Sequence, residues 1–305
     1  MTEASPYIGR FAPSPTGPLH FGSLLAAVAS YLEARANNGR WLLRIENIDP
    51  PREQPGASEQ IVSALERYGF EWDGPLVWQR DSTEHHALAL QALLDQKQAY
   101  WCKCSRRDLA SAQQARVGAV YPGTCRDLGI AASSNLAVRV RTMNDAIVFD
   151  DRLQGLQSLS LEAASGDFVV WRKDGLVAYQ LAVVVDDHLQ QVNHIVRGVD
   201  LMDSTPRQVW LQELLGYRTP VYAHIPVAVH ADGSKLSKLT GARALPLVGV
   251  EKILIEGLCA LRQSPPRALL EASLEEIWQW ASANWNMAAL TGLTSVTANE
   301  TTHLP

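Results

Sequence analysis

The chain has 305 residues, 47% of them hydrophobic, and a net charge of −5. That length allows one large or two modest domains around a real core, while the acidic balance excludes a molecule-wide attraction for nucleic acid, so RNA must meet a local basic surface and DNA is not expected as a partner. No apolar run has membrane-spanning length, Met1–Ser5 lacks the plan of an export signal, and three of the four cysteines crowd between 102 and 125, unlike a disulfide framework; a soluble cytoplasmic protein is expected, with no membrane partner.

Residues 6–12 read as a strand that breaks at Pro13, Pro15, Gly17 and Pro18 into a tight loop. An amphipathic helix follows over 23–36, with Gly39 as its stop. Trp41–Glu46 is a short apolar strand closed by Asp49-Pro-Pro51. Strand, helix and strand form a βαβ unit, whose ligands gather at the C-terminal strand ends. Helical patterns cover 58–68, capped by Ser58, and 82–98. From Tyr100 to about Asp167 the helical period fades and short β-like runs appear at 136–141 and 146–149, as in an inserted, partly antiparallel module.

Val169–Trp171 and Tyr179–Val185 return to the buried-strand style, the second ending at Asp186-Asp187. A strand over Val192–Val196, a helix over Pro206–Gly216 with Gly216 as its stop, and a last strand over His224–His230 lead to the turn Asp232-Gly-Ser234. Beyond Arg243 the pattern is helical, and the polar stretch from Thr291 to Pro305 is expected to fray. Trp278, Trp280 and Trp285 could stack on RNA bases, but their near-helical spacing favours packing.

No Gly-x-x-x-x-Gly-Lys-Ser/Thr loop is present, so nucleotide phosphates are not gripped in the P-loop manner. Instead His20 and Gly22 stand where loop becomes helix, and Lys235-Leu-Ser-Lys-Leu239 follows a turn far downstream. A helix N-terminus and an imidazole can meet phosphates at one end, with Gly22 admitting the nucleotide to the backbone. The ammonium groups of Lys235 and Lys238 can close from the other end. Alone, His20 would read as a turn residue and the lysines as solvated surface; their order makes the ATP reading the stronger. A dicarboxylic amino acid needs an acid for its ammonium and cations for its carboxylates, and Glu46, Arg10 and Arg197 stand at predicted strand ends to supply them, with Tyr179 as a hydroxyl donor. Cys102, Cys104 and Cys125 leave a tetrahedral metal one ligand short, and read equally as ligands or as reduced, buried thiols. His85 and His86 are further candidates, though adjacent histidines on a polar helix suit solvent.

Arg10-Phe-Ala-Pro-Ser-Pro-Thr-Gly17, Arg44-Ile-Glu46, Tyr179-Gln-Leu-Ala182 and His194-Ile-Val-Arg-Gly198 resemble the class I glutamyl/glutaminyl branch of aminoacyl-tRNA synthetases, over roughly residues 6–240. Within it, the short chain and the Cys-x-Cys cluster resemble the glutamyl-Q tRNA(Asp) synthetase family. The resemblance implies an α/β fold with a Rossmann-type parallel sheet. The implied divisions are 1–98 and 169–240 for the halves of the nucleotide-binding catalytic domain, 99–168 for the inserted module, and 241–305 for a mostly helical region with a frayed tail. It implies a ligase that activates L-glutamate with ATP and Mg²⁺ and transfers it to queuosine at the wobble position of tRNA(Asp). Glutamate contacts are implied at Arg10, Phe11, Ala12, Pro13, Ser14, Glu46, Tyr179 and Arg197, nucleotide contacts at His20, Gly22 and Lys238, and catalysis by His20, Lys235 and Lys238. One structural zinc ion is implied on Cys102, Cys104, Tyr121 and Cys125.

Two departures stand out: Ser23 occupies the place of a second His, and Leu239 the place of a Ser. The 66 residues after Leu239 are too few for the anticodon-reading region of full-length relatives. An enzyme so built is expected to receive an anticodon loop where its relatives receive an acceptor end. The competing readings are a truncated glutamyl-tRNA synthetase charging the tRNA 3′ end, an inactive tRNA-binding paralogue, and a small-molecule nucleotidyltransferase.

Overall fold

The computed structural model describes residues 6–297, except 106, 110, 111, 113, 116, 117, 231, 232, 235 and 237–242. Its first unit is β1 (Ile8–Phe11), α1 (Phe21–Ala36) and β2 (Arg40–Ile45), with β1 and β2 parallel and Ile8 opposite Arg40. Helix α1 is less amphipathic than its sequence suggests: residues 24, 25 and 27–34 are all buried. It runs through the centre of the molecule, against both the strands and the C-terminal helices. Its one buried acid, Glu33, accepts from Arg152 at 2.6 Å and from Trp285 Nε1 at 2.7 Å.

Helix α2 (Ala57–Arg67) starts after Gly56, which holds φ +75°; Ser58 lies inside the first turn and is not the cap. Strand β3 (Val77–Trp78) joins β2 in parallel, and α3 (Thr83–Asp95) turns the stripe His86, Ala89, Leu90 and Leu93 inward. His86 is thus fully buried, while His85 faces solvent. Strand β4 (Ala99–Cys102), the short pair β5 (Gln114–Ala115) and β6 (Gly118–Ala119), and β7 (Ala137–Val140) follow; β7 runs antiparallel to β4. Strands β8 (Ala146–Asp151) and β9 (Gly155–Ser160) form a hairpin, and after α4 (Leu161–Ala164) strand β10 (Phe168–Trp171) closes a three-stranded sheet on β7.

The segment expected as a strand over 179–185 is instead the helix α5 (Tyr179–Leu189). Its run of three valines has strand propensity, which burial overrides: residues 181–187 are all enclosed by neighbouring elements. The helical twist has a chemical consequence. Asp186 and Asp187 project about 100° apart and serve different partners, as described below.

Strand β11 (His194–Gly198), helix α6 (Thr205–Leu215) and strand β12 (Val221–Ile225) come next, with Gly216 ending α6 in the left-handed region at φ +67°. Strands β11 and β12 pair in parallel and β12 meets β8, while Asn193 ties β11 to β1 by donating its N–H to the Ile8 carbonyl at 3.0 Å and accepting the Ile8 N–H at 2.8 Å. Chain order therefore reverses between β1 and β11, the kind of crevice where open α/β sheets bind ligands. Pro226, which lacks an N–H, splits the expected last strand into β12 and β13 (Val227–Val229).

Helices α7 (Val250–Ala260) and α8 (Leu274–Asn284) pack on α1, the second with a Ser273/Glu276 capping box. The tail is not wholly frayed. Strand β14 (Ser295–Thr297) pairs in parallel with β13. Trp278 packs against Tyr31 and Phe70 with ring centroids 4.9 and 5.0 Å away, so it belongs to the core. No helix among the described residues is long and apolar enough to cross a membrane.

Candidate active site

The crevice between β1 and β11 opens into a cavity of about 460 Å³. Arg10 through Ser14, Glu46, Tyr179, Arg197, His20 and Gly22 all line it. Residues 170 or more positions apart in sequence thus converge on one space. Lys235 and Lys238 lie outside the described residues, but Leu236 between them lines the same cavity.

His20 is the N-cap of α1, and its Nδ1 accepts the Ser23 backbone N–H at 3.3 Å. An accepting Nδ1 puts the ring proton of the neutral imidazole on Nε2, which suits a phosphate oxygen. Gly22 suits this arrangement, because a Cβ there would sit 3.1 Å from His20 Cε1, closer than ordinary contact. The glycine thus makes room for the imidazole itself, a closer reason than nucleotide approach.

Glu46 ends β2, and its N–H donates to the Pro13 carbonyl at 2.9 Å, which fixes the loop after β1 beside it. Burial pushes its carboxyl above the ordinary carboxylate range despite the nearby Arg44 and Arg10 guanidinium groups. A ligand ammonium would add to that positive charge and favour the carboxylate further. Arg10 uses Nε and Nη2 on the two oxygens of Asp187, at 3.3 and 3.4 Å. Arg44 Nη2 bridges Asp187 at 2.8 Å and Glu46 at 3.2 Å, and its Nη1 donates to Gln190. Burial opposes ionisation of Asp187, but the two guanidinium groups outweigh it and hold its carboxyl below the usual value. Asp186, one residue away, accepts from Gln79 Nε2 at 2.6 Å and pairs with His86 Nε2 at 2.8 Å. Sequence reasoning gave Asp186 and Asp187 no role and read His86 as a metal candidate or a solvated residue, because each acts through a partner distant in the chain. The signal for His86 was its place on the apolar stripe of α3.

Arg197 is held differently. Parallel register sets it directly beside His224 on β12, and β8 brings Asp151 to the next position across. Asp151 Oδ2 is 2.6 Å from His224 Nδ1, and Arg197 Nε donates to His224 Nε2 at 3.1 Å. The first contact keeps the proton on Nδ1, so Nε2 is free to accept. Arg197 Nη2 donates to Thr205 Oγ1 at 2.8 Å, while Nη1 is buried with no protein partner. A buried, unpaired guanidinium N–H beside a cavity is costly unless a ligand acceptor meets it. Asp200 also lines the cavity, and its carboxylate occupies the space a Cβ on Gly198 would take.

A separate cluster forms where β4 meets the 121–125 loop. The sulfurs of Cys102, Cys104 and Cys125 all lie within 4.8 Å of one another. The Tyr121 hydroxyl is 3.4 Å from Cys102 Sγ and 3.8 Å from Cys104 Sγ, and it accepts the Cys125 N–H at 2.8 Å. Tetrahedral zinc with sulfur ligands needs sulfurs about 3.8 Å apart, so three thiols and a phenol oxygen fit it. Arg139 adds positive charge: Nε lies 3.3 Å from Cys102 Sγ, and its guanidinium stands 3.8 Å over the Tyr121 ring. Although burial opposes it, hydrogen bonding brings the Cys125 thiol down to about 7.

The catalytic-domain model for class I tRNA synthetases (E and Q) matches residues 8–252. A glutamyl-Q tRNA(Asp) synthetase from Aromatoleum aromaticum is 51% identical over 93% of this chain and 90% of its own length. Proteins of the same name from Dechloromonas aromatica and Pseudomonas aeruginosa are each 50% identical, over 94% and 92% of this chain and 96% and 94% of their own. Among solved structures, a glutamate-tRNA synthetase from Elizabethkingia anophelis superposes with a TM-score of 0.80 at 24% identity, over 97% of this chain and 68% of that one, and shares the fold. The matched span of 8–252 takes in every residue that lines the cavity between β1 and β11, and the chain belongs to the class I tRNA synthetases of the E and Q type, together with the glutamyl-Q tRNA(Asp) synthetases.

Proposed function

We propose that the chain is a ligase that activates L-glutamate with ATP and passes it to queuosine at the wobble position of tRNA(Asp), acting in the cytoplasm where these substrates meet. The observation that carries this reading is the pairing, in one cavity, of a buried Arg197 Nη1 lacking a partner with a Glu46 carboxyl that burial holds above its ordinary range even with Arg44 beside it. One awaits a carboxylate and the other an ammonium, which is the polarity of an amino acid with an acidic side chain. The names of relatives near 50% identity favour glutamate and the queuosine acceptor.

In the first step a glutamate α-carboxylate oxygen attacks the α-phosphorus of ATP. The bond from that phosphorus to the bridging oxygen of the β-phosphate breaks, giving glutamyl-adenylate and pyrophosphate. His20 Nε2–H and the amide N–H groups opening α1 meet charge that grows on the phosphate oxygens, and the sequence pattern assigns the ammonium groups of Lys235 and Lys238 to the same charge. Mg²⁺ arrives with ATP and neutralises phosphate charge. Arg197 and Glu46 hold the amino acid still.

In the second step a cyclopentenediol oxygen of queuosine attacks the anhydride carbonyl carbon, the bond to the AMP oxygen breaks, and the hydroxyl proton passes to the departing phosphate. Zinc on Cys102, Cys104, Tyr121 and Cys125 would tie β4 to the 121–125 loop, a structural role apart from the cavity.

Glutamate-dependent exchange of pyrophosphate into ATP without RNA tests the first step, and labelled glutamate with paired tRNA(Asp) samples tests the second. Exchange with glutamate, and charging only of the queuosine form, is the expected result. Charging of tRNA(Glu) at its 3′ end would overturn the assignment in favour of a truncated glutamyl-tRNA synthetase, and silence in exchange would favour a binding paralogue.

A further inference from the structure

A second cleft, of about 370 Å³, adjoins the active-site cavity and shares Ser14, Thr16, Glu46 and Tyr179 with it. Its own wall carries Asp49, Arg52, Glu53, Gln79 and Arg172. Two acceptor oxygens in this wall have nothing to accept from. Gln79 is fully buried; its Nε2 is committed to Asp186 at 2.6 Å, which orients the amide and leaves Oε1 buried without a partner. Glu53 gives Oε2 to Arg80 Nη2 at 3.3 Å, while its Oε1 is buried and unpaired. Unpaired buried acceptors are rare, and two in one cleft, one of them a carboxylate oxygen, call for a cationic ligand rich in N–H groups. Asp49 does not fill that need, because Arg52 and Arg172 hold it at 2.5 and 3.0 Å. Both arginines stand at the mouth, Arg172 shared between Asp49 and Asp174 and Arg52 with 73% of its side chain exposed and so able to meet a second anion.

We infer that this cleft receives the modified base, with Glu53 and Gln79 Oε1 accepting from its secondary ammonium and neighbouring N–H groups. The inference rests on the function proposed above. Queuosine carries its cyclopentenediol on an aminomethyl arm, whose secondary amine is protonated at neutral pH, whereas guanosine has no such cation. A carboxylate placed here therefore distinguishes the modified base from its precursor by charge, while Arg52 and Arg172 face the RNA phosphates. The residues shared by the two clefts, Glu46 and Tyr179 among them, bring the cyclopentenediol beside the adenylate carbonyl.

Glu53→Gln keeps the shape and removes the charge. Its glutamate-dependent pyrophosphate exchange should match the parent protein, which also reports that it folds. Its kcat/KM for transfer to tRNA(Asp) bearing queuosine should fall about tenfold or more, the usual scale for losing a hydrogen bond to a charged group. Unmodified tRNA(Asp), used as a competitor, should inhibit both proteins alike, so that the preference for the modified RNA narrows in the variant. Unchanged transfer would overturn the inference, as would transfer and exchange falling together. Failure of the parent protein to charge any tRNA(Asp) would instead sink the function itself.

Discussion

His224 Nδ1 lies 2.6 Å from Asp151 Oδ2, and both side chains are fully buried. This contact sets the tautomer that lets His224 accept from Arg197, so the aim of a cavity-lining guanidinium is fixed from two strands away. Burial, with the Arg197 charge, holds His224 below its ordinary value even though Asp151 favours the imidazolium. The folded protein therefore prefers neutral His224. That contribution to stability is full above about pH 6.5 and is lost as pH falls through the depressed folded value. Protonation would also turn Nε2 into a donor facing Arg197. The KM for glutamate should accordingly rise as pH drops below 6, with kcat less affected; Asp151 and Asp200 are the acids that face the ring.

Asp151→Asn tests the same device without changing pH. An amide nitrogen at that position would push the proton of His224 to Nε2, opposing Arg197. The expected outcome is a rise of about tenfold or more in KM for glutamate in the exchange assay. The pH dependence of KM should flatten as well. A variant with normal KM would show that Arg197 needs no support from His224.

The sequence conveyed the first unit well because its signals are local. Pro13, Pro15 and Gly17 punctuate the loop, and the strands on either side of α1 are short and largely apolar, broken by Gly9, Arg10, Arg40 and Arg44. Gly216 announced the end of α6 for the same reason, supplying the left-handed turn. What stayed hidden depends on partners far along the chain. The run Val183-Val-Val185 reads equally as strand or helix until neighbours enclose it on every side. Strand β14 exists because β13 is there to pair with it. Asp187 looks like an ordinary loop acid until Arg10, 177 positions away, reaches it. The converging set of Arg10, Glu46, Tyr179 and Arg197 was legible through a resemblance; the groups that aim them were not.

Asp187 offers the sharpest stability test. It is nearly inaccessible and answers both Arg10 and Arg44, so Asp187→Asn leaves two buried guanidinium groups short of an anion. Breaking a buried pair in this way costs about 3–5 kcal/mol. Denaturant unfolding should show that loss at neutral pH, and it should shrink in acid. The reason is that Asp187 is depressed in the folded state, so its contribution is present above about pH 4 and disappears as pH falls through the folded value. Equal stability at pH 7 would mean that Glu46 and Asp186 suffice for both arginines.

Removal of metal separates the cysteine cluster from the chemistry. Elemental analysis should find one zinc per chain, and a strong chelator should release it with a drop in unfolding temperature. Cys104→Ser should weaken retention of the ion. Because the cluster's ligands are distinct from the residues that line the cavity, exchange by the still-folded protein should persist. Loss of exchange without loss of fold would place the metal in the reaction.

Lys238 can be judged from its neighbour. Leu236 is buried, and its N–H donates to Ala228 on β13 at 2.8 Å, pinning the entry to the Lys-x-Ser-Lys loop against the cavity wall. Lys238 follows two residues later in the sequence, outside the described residues. Charge on the phosphate oxygens grows as the bond to pyrophosphate breaks, so a loop ammonium acts mainly on the transition state. Lys238→Ala should lower the exchange kcat by about 10²–10³-fold. The KM for glutamate should hardly move, since Glu46 and Arg197, not the loop, are the groups proposed to hold the amino acid. If KM for glutamate rises while kcat holds, the loop grips the amino acid rather than the phosphates, and the two-ended cradle for ATP is wrong.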